Sequence, residues 1–115
     1  MPLNVYYLDD EAELCEIFAD SFASNEVQVT TFTEASRLVD FVTGQPPDLL
    51  FLDYRLLGTT GDAVAQKLNP TYPVILVTGD LSVNSNFKFN RVISKPWIES
   101  EVFEIIRSFK RSRWA

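Results

Sequence analysis

Histidine is absent from this chain, and cysteine occurs only once, as Cys15. Without histidine, Ser-His-Asp catalysis and imidazole ligation of a metal are excluded. A single cysteine excludes an internal disulfide and a cysteine-based zinc site, and it is typical of a protein in the reducing cytoplasm. The chemistry left to the chain is that of carboxylates, hydroxyls and lysine.

Basic residues are also scarce, since 10 lysines and arginines stand against 16 acidic residues, giving a formal charge of −6. This balance repels nucleic acid and anionic membranes, so we expect neither as a direct partner, and it favours a divalent metal or a cationic protein surface. The basic cluster KRSR at residues 110–113 is typical of a solvated helix end, with a docking or linker role as the alternative. No apolar stretch has the length of a signal peptide or a membrane span, so a cytoplasmic protein is expected.

Length and hydrophobic pattern predict a single α/β domain over residues 1–115. Short apolar runs, typical of strands covered on both faces, alternate with segments of helical period. This alternation predicts a parallel sheet with right-handed crossovers and helices on both faces. For five strands the expected fold is doubly wound and flavodoxin-like, with strand order 2-1-3-4-5. The predicted strands are residues 3–8, 27–32, 48–52, 73–77 and 91–94.

Helical period is clearest in residues 11–23, where the apolar positions fall on one face. The connection over residues 79–90, GDLSVNSNFKFN, is poor in helix formers, so the fourth helix of the fold is expected to be shortened or irregular. The apolar face of the first helix comprises Leu14, Ile17, Phe18 and Phe22. The other predicted helices are a segment capped by Thr33 and ended by Gly44, one from near Gly61 to Leu68, and one from Trp97 to about Lys110.

Polar side chains follow four of the predicted strands. Singly, each has an ordinary explanation, because acidic pairs cap helices, Asp and Thr occur in turns, and lysines are usually solvated. In an open parallel sheet, however, ligands bind beyond the carboxyl ends of the strands, and all of these residues converge on that edge. They are Asp9 and Asp10 after the first strand, Asp53 after the third, Thr78 after the fourth and Lys95 after the fifth.

Three neighbouring carboxylates repel one another unless a cation lies among them. Magnesium suits such a site because it takes oxygen ligands in an octahedron and keeps several waters. The predicted direct ligands are Asp10, Asp53 and the backbone carbonyl of Arg55, with Asp9 held through water.

A metal-bound carboxylate can also act as a nucleophile toward phosphorus, and Asp53 is the predicted phosphoacceptor. The charge of a transferred phosphoryl group spreads over three oxygens, each of which needs a counterpart. Magnesium faces one oxygen and the Lys95 ammonium a second, while the Thr78 hydroxyl and the backbone amides of Tyr54 and Gly79 face the third.

Taken in order, the motifs DD at residues 9–10, LLFLDYRLLGTTG around Asp53, VTG with Thr78 and SKPW with Lys95 resemble the receiver domain of two-component response regulators, as in chemotaxis regulators. The resemblance covers nearly the whole chain. It implies magnesium-dependent phosphorylation of Asp53 by a sensor histidine kinase or a histidine phosphotransfer domain. It also implies slow self-catalysed hydrolysis, no other enzymatic activity, and a cis peptide between Lys95 and Pro96.

The sequence departs from the receiver pattern where such domains usually carry an aromatic switch residue, because Val92 stands there. Phe87 or Phe89 could replace that residue. The usual signalling face contains the fourth helix, so the altered connection leaves the standard homodimer open. Four aromatic residues either pack in the core or form an exposed patch for a partner: Phe87, Phe89, Phe103 and Trp114.

Two other functions are weighed against the phosphoacceptor. A receiver-like module that works by protein interaction without phosphorylation is favoured by Val92 and by the weak fourth helix, but the intact set of acids, hydroxyl and lysine opposes it. A metal-dependent phosphatase would need a general acid and a substrate pocket, for which a chain of 115 residues has little room. The downstream effector is unknown, and the chain is either a stand-alone regulator or part of a larger protein.

Overall fold

A five-stranded parallel sheet runs through the centre of the protein, in a computed structural model that describes residues 2–80, 83 and 85–114, with side chains described up to residue 110. The strands are β1 (Leu3–Leu8), β2 (Val27–Phe32), β3 (Leu49–Asp53), β4 (Arg55–Leu56), β5 (Thr59–Thr60), β6 (Val74–Thr78) and β7 (Arg91–Ser94). The helices are α1 (Ala12–Phe22), α2 (Ala35–Gly44), α3 (Gly61–Leu68) and α4 (Glu99–Trp114).

The strands of the main sheet lie in the order β2-β1-β3-β6-β7, and every neighbouring pair is parallel. Counted within that sheet, this is the predicted order 2-1-3-4-5, so the flavodoxin-like prediction is confirmed. The short strands β4 and β5 form a separate antiparallel hairpin directly after β3, which the sequence reading did not predict. It was missed because each of its strands has only two residues and no apolar run.

The core has two layers, one on each face of the sheet. Successive strand residues point to opposite faces, so Tyr7 packs with α1 and α4 while Tyr6 packs with α2 and α3. All residues of β3 and β6 are buried, which explains their nearly continuous apolar sequences. Both faces of the central strands are therefore covered.

Two helix predictions need correction. The buried stripe of α1 is Cys15, Phe18 and Phe22, at helical spacing, whereas Ile17 stays 45% exposed beside it. Thr33 does not cap α2, because that helix begins at Ala35 with Glu34 at the cap position and no side-chain cap bond.

The last helix also differs from its predicted bounds. It begins at Glu99, two residues later than predicted, and continues to Trp114. Its buried residues within the described side chains are Val102, Ile105 and Ile106. No helix in the described part of the chain combines the length and apolarity needed to cross a membrane.

The connection between β6 and β7 is irregular, as predicted. None of its described residues lies in a helix, and residues 81, 82 and 84 lie outside the described residues. The rings of Phe87 and Phe89 are 4.7 Å apart and pack, half-buried, against the α2–α3 layer of the core. Phe103 is 40% exposed and contacts Phe22 in the other layer, so these aromatics do not form one patch. The side chain of Trp114 lies outside the described residues.

Candidate functional site

The sheet brings the predicted polar residues together at its carboxyl edge. Asp53 and Thr78 are the last residues of β3 and β6. Asp9 follows β1 and donates its backbone N–H to Phe32 over 3.0 Å, and Lys95 follows β7 and donates its own to Thr78 over 2.9 Å. These two backbone hydrogen bonds continue the sheet by one residue beyond β1 and β7. They therefore fix the backbone positions of Asp9 and Lys95.

Lys95 lies between two of the carboxylates. Its ammonium Nζ is 3.0 Å from Asp9 Oδ2 and 3.1 Å from Asp53 Oδ2. The three residues are distant in sequence, separated by 86 and 42 positions. The peptide between Lys95 and Pro96 is cis, as the family resemblance implied.

Asp9 is fully buried and accepts hydrogen bonds on both carboxylate oxygens. The backbone N–H of Glu11 donates to Oδ1 over 2.9 Å, and the Tyr7 hydroxyl donates to Oδ2 over 2.6 Å. The sequence reading missed Tyr7. A signal was present, because residues two apart on a strand point to the same face, so a tyrosine two places before Asp9 could be expected to reach it.

The buried charges shift one another's pKa values. Burial is the main cause that raises the pKa of Asp53 to about 6, and the nearby charge of Asp9 adds to it, while Lys95 opposes the rise. Burial acts to lower the pKa of Lys95, but its hydrogen bonds to the Asp9 and Asp53 carboxylates outweigh this and raise it. Lys95 thus stays charged but neutralises the acidic edge only partly, which leaves an attraction for a further cation.

The acidic residues fit a divalent metal. Asp9, Asp10 and Asp53 each offer an oxygen, and these oxygens lie within 4.8 Å of one another. Asp10 is exposed, whereas Asp9 already has a donor on each oxygen, so Asp10 and Asp53 are better placed as direct ligands. An open site of carboxylates and a carbonyl, with room for water, suits magnesium.

A pocket opens at this edge of the sheet. Glu11 adds a carboxylate that the sequence reading did not include, and Arg55 stands at the rim, with its guanidinium 3.8 Å from the Asp80 carboxylate. The lining residues are Asp10, Glu11, Asp53, Arg55, Thr78, Gly79 and Lys95.

Of the two predicted backbone amides, that of Tyr54 is already occupied. It donates to the Val77 carbonyl over 3.0 Å as the last rung between β3 and β6. The prediction that it faces a phosphoryl group is therefore not supported, because the sheet ladder uses this N–H. Gly79, which carries the second predicted amide, lines the pocket.

Thr78 is buried, and its hydroxyl bonds within its own turn. The hydroxyl donates to the Asp80 carbonyl over 3.2 Å and accepts from the Asp80 N–H over 3.0 Å. The side chain therefore links the acidic edge to the first residues of the 79–90 connection.

Gly61 lets α3 begin directly against the backbone of Asp53. A Cβ atom at this position would lie 2.6 Å from the Asp53 carbonyl oxygen, too close for any other residue without a backbone shift. The N–H of Gly61 donates to the Tyr54 carbonyl over 2.7 Å. This close approach fixes the segment that follows Asp53.

Comparison with known proteins agrees with this arrangement. The family model described as the response regulator receiver domain matches residues 5–107. The probable transcriptional regulatory protein TcrX of Mycobacterium tuberculosis is 28% identical, over 96% of this chain and 50% of its own length. The regulatory protein VanR of Enterococcus faecium is 28% identical, over 66% of this chain and 34% of its own. The chain thus spans half or less of these relatives.

Solved structures show the same fold. The receiver domain (CheY-like) of a response regulator from Methylobacillus flagellatus superposes with a TM-score of 0.84 at 19% identity, covering 95% of this chain and 99% of that one. The signal receiver domain of an HD domain-containing protein from Pseudomonas fluorescens gives a TM-score of 0.85 at 16% identity, with 97% of each chain covered.

Proposed function

The chain belongs to the response regulator receiver domain family of two-component systems, and from that membership we propose that it is a phosphoacceptor, phosphorylated on Asp53 in a magnesium-dependent reaction. The observation that carries the proposal is the position of Lys95, whose ammonium lies within 3.1 Å of both Asp9 and Asp53. The Lys95 ammonium is partly exposed in the pocket, so it can form a charge-assisted hydrogen bond to a phosphoryl oxygen there.

Asp10, Asp53 and the Arg55 carbonyl would hold magnesium directly, and Asp9 would hold it through water. When bound, the ion neutralises charge on the phosphoryl group and on the attacking carboxylate. Burial is the main cause that raises the pKa of Asp53, so the ionised carboxylate is disfavoured without a further cation. A metal ion bound there would favour the ionised form, which is the nucleophile.

In the transfer step, an Asp53 carboxylate oxygen attacks phosphorus, and the P–N bond to the donor histidine breaks as the new P–O bond forms. The histidine nitrogen keeps the electron pair of the broken bond. Lys95 moves its hydrogen bond from the Asp53 carboxylate to a phosphoryl oxygen. Thr78 exchanges the Asp80 carbonyl for a second oxygen, and the Gly79 amide is the expected backbone donor. Attack by water later returns Asp53 to its free form, and we propose no other enzymatic activity.

The phosphoryl donor in this proposal is a sensor histidine kinase or a histidine phosphotransfer domain, and the exchange takes place in the cytoplasm. The net charge of −6 opposes direct contact with nucleic acid or an anionic membrane. The output would be a downstream effector or a second copy of the chain.

Acetyl phosphate with magnesium provides the test, with the intact mass as the readout. We expect a gain of one phosphoryl group that is lost when magnesium is chelated and absent in Asp53→Asn. Asp48→Asn is a matched control, because Asp48 lies just before the amino end of β3 and accepts the Asn4 N–H over 2.7 Å, at the opposite edge of the sheet. That variant should be labelled like the parent protein.

Labelling that persists in Asp53→Asn would contradict the proposed acceptor. No labelling of the parent protein by acetyl phosphate or by histidine phosphotransfer domains would instead favour the interaction module that works without phosphorylation. The exposed Val92 and the irregular 79–90 connection are the observations that keep this second function in view.

A further inference from the structure

Tyr7 carries a hydroxyl in the apolar layer next to the acidic edge, and it has a specific partner there. We propose that this hydroxyl holds Asp9 back as an indirect metal ligand and thereby sets the affinity and selectivity of the pocket for divalent ions. The inference rests on the proposed metal site and adds a positioning residue to it.

The Tyr7 ring is fixed by its neighbours. It is fully buried and stacks on Phe18, with centroids 4.3 Å apart and planes only 4° from parallel. Trp97 meets it edge-on at 5.7 Å. Because the ring is fully buried and contacts both aromatic neighbours, its hydroxyl stays directed at Asp9 Oδ2, 2.6 Å away.

Asp9 has little capacity left for a metal. A carboxylate oxygen accepts about two hydrogen bonds, and Oδ2 already receives the Tyr7 hydroxyl and the Lys95 ammonium. Oδ1 receives the Glu11 N–H over 2.9 Å. Lys95 can turn toward a phosphoryl group, but Tyr7 cannot leave, so it is the donor that permanently limits Asp9.

The Tyr7 hydroxyl and a metal ion compete for the lone pairs of the Asp9 carboxylate, so the hydroxyl should weaken metal binding. A metal ion near Asp9 weakens the Tyr7–Asp9 hydrogen bond, and by linkage that bond weakens metal binding to the same extent. Removing the hydroxyl therefore destabilises the metal-free state more than the metal-bound state. The Asp9 oxygen also becomes available as a direct ligand, which matters most for calcium because calcium takes more protein oxygens than magnesium.

Tyr7→Phe tests this, because it removes the hydroxyl and keeps the ring. Tyr6→Phe is the matched control, since the Tyr6 hydroxyl donates to the Gln45 carbonyl over 2.7 Å on the opposite face of the sheet. Magnesium and calcium are titrated separately by calorimetry and by Trp97 fluorescence. For Tyr7→Phe we expect the magnesium dissociation constant to fall about fivefold and that for calcium to fall further, while Tyr6→Phe matches the parent.

A Tyr7→Phe dissociation constant within about twofold of the Tyr6→Phe value, or weaker binding, would overturn the inference. So would an equal gain for both ions. A second measurement uses the parent protein alone, where magnesium should shift the hydroxyl proton resonance of Tyr7 upfield and leave that of Tyr6 unchanged. This result decides the matter if Tyr7→Phe does not fold. A parent protein that binds neither ion would overturn the metal site itself, a distinct outcome.

Discussion

The carboxyl edge of the sheet and the 79–90 connection meet at Thr78, yet different interactions hold them. At the edge, buried charges from three strands contact one another directly, with Lys95 between Asp9 and Asp53. In the connection, Phe87 and Phe89 pack half-buried against the core, and Asn90 bonds to the backbone of Val74. The charged residues on which the receiver resemblance rests lie at the edge, whereas the connection is irregular.

This difference indicates that the edge and the connection can vary separately. The edge depends on short distances between Lys95, Asp9 and Asp53, so a substitution of any of these residues leaves an unbalanced charge. The connection needs only to cover the sheet, so its form can vary while the site is kept. The strand after the connection also departs from the receiver resemblance, because Val92 stands 50% exposed on β7 where an aromatic switch residue is usual. Thr78 is the point of contact between the two regions, through its bonds to Asp80.

Lys95→Met should have the largest effect, because it leaves two buried carboxylates without their cation. We expect the metal-free protein to lose about 2 to 4 kcal/mol of unfolding free energy, measured by urea denaturation at pH 8. Magnesium should restore much of the loss, since an ion bound by the same carboxylates stabilises the native state in proportion to its affinity.

Lys88→Met is the control for that experiment. Lys88 is an exposed residue of the connection, so its loss should change stability by less than about 0.5 kcal/mol and should leave the magnesium dependence unchanged. Equal effects of the two substitutions would contradict the conclusion that stability depends on the Lys95 charge at the edge and not on the exposed charge of Lys88.

The pH dependence of Asp53→Asn should be the next largest effect. Burial, with the charge of Asp9, raises the pKa of Asp53 to about 6, above its ordinary value of 3.8. The native state therefore binds more protons than the unfolded state between about pH 4 and pH 6, and stability falls as pH rises through that window. Without metal, Asp53→Asn should be more stable than the parent by about 2 to 3 kcal/mol at pH 8 and equal to it near pH 4.

Asp62→Asn should show the opposite sign. The Thr60 hydroxyl is the main cause that lowers the pKa of Asp62. The ionised form therefore stabilises the native state above its ordinary pKa, and this contribution is lost as pH falls. The variant should be less stable than the parent at pH 8, with a difference that shrinks in acid. Parallel pH profiles for the two variants would show that these local environments do not govern the titration.

Much of the fold could be predicted because its signals are local. The fully buried strands β3 and β6 are continuous apolar runs in the sequence. The alternation with helices predicted a parallel sheet, and the flavodoxin-like order expected for five strands is the one observed. The β4–β5 hairpin could not be found, since four residues without apolar period give no signal. Ile17 is exposed and Thr33 does not cap α2. Both depend on how each helix packs against its neighbours, which the spacing of residues in the sequence does not specify.

For the candidate site, the strand-end rule brought Asp9, Asp53 and Lys95 to one edge before any distance was known. It did not specify the hydrogen-bond partners around them. The Tyr54 amide was assigned to a ligand although the sheet ladder consumes it, because the exact last rung between β3 and β6 depends on register. Tyr7 lies in the apolar run of the first predicted strand, and only its spacing from Asp9 pointed to the polar role of its hydroxyl.

The smallest expected effects concern the connection and the strand that follows it, where Phe87→Ala in the connection is compared with Val92→Ala on β7. Phe87 packs half-buried against the α2–α3 layer, so its truncation should cost about 1 to 2 kcal/mol, less than for a fully buried ring. Val92 is half exposed, and its truncation should stay within about 0.5 kcal/mol. Urea denaturation measures both, and magnesium titration should give the parent affinity in each case, because neither side chain lines the acidic pocket. A larger cost at Val92, or a changed magnesium affinity in Phe87→Ala, would mean that the connection and the edge are coupled beyond their junction at Thr78.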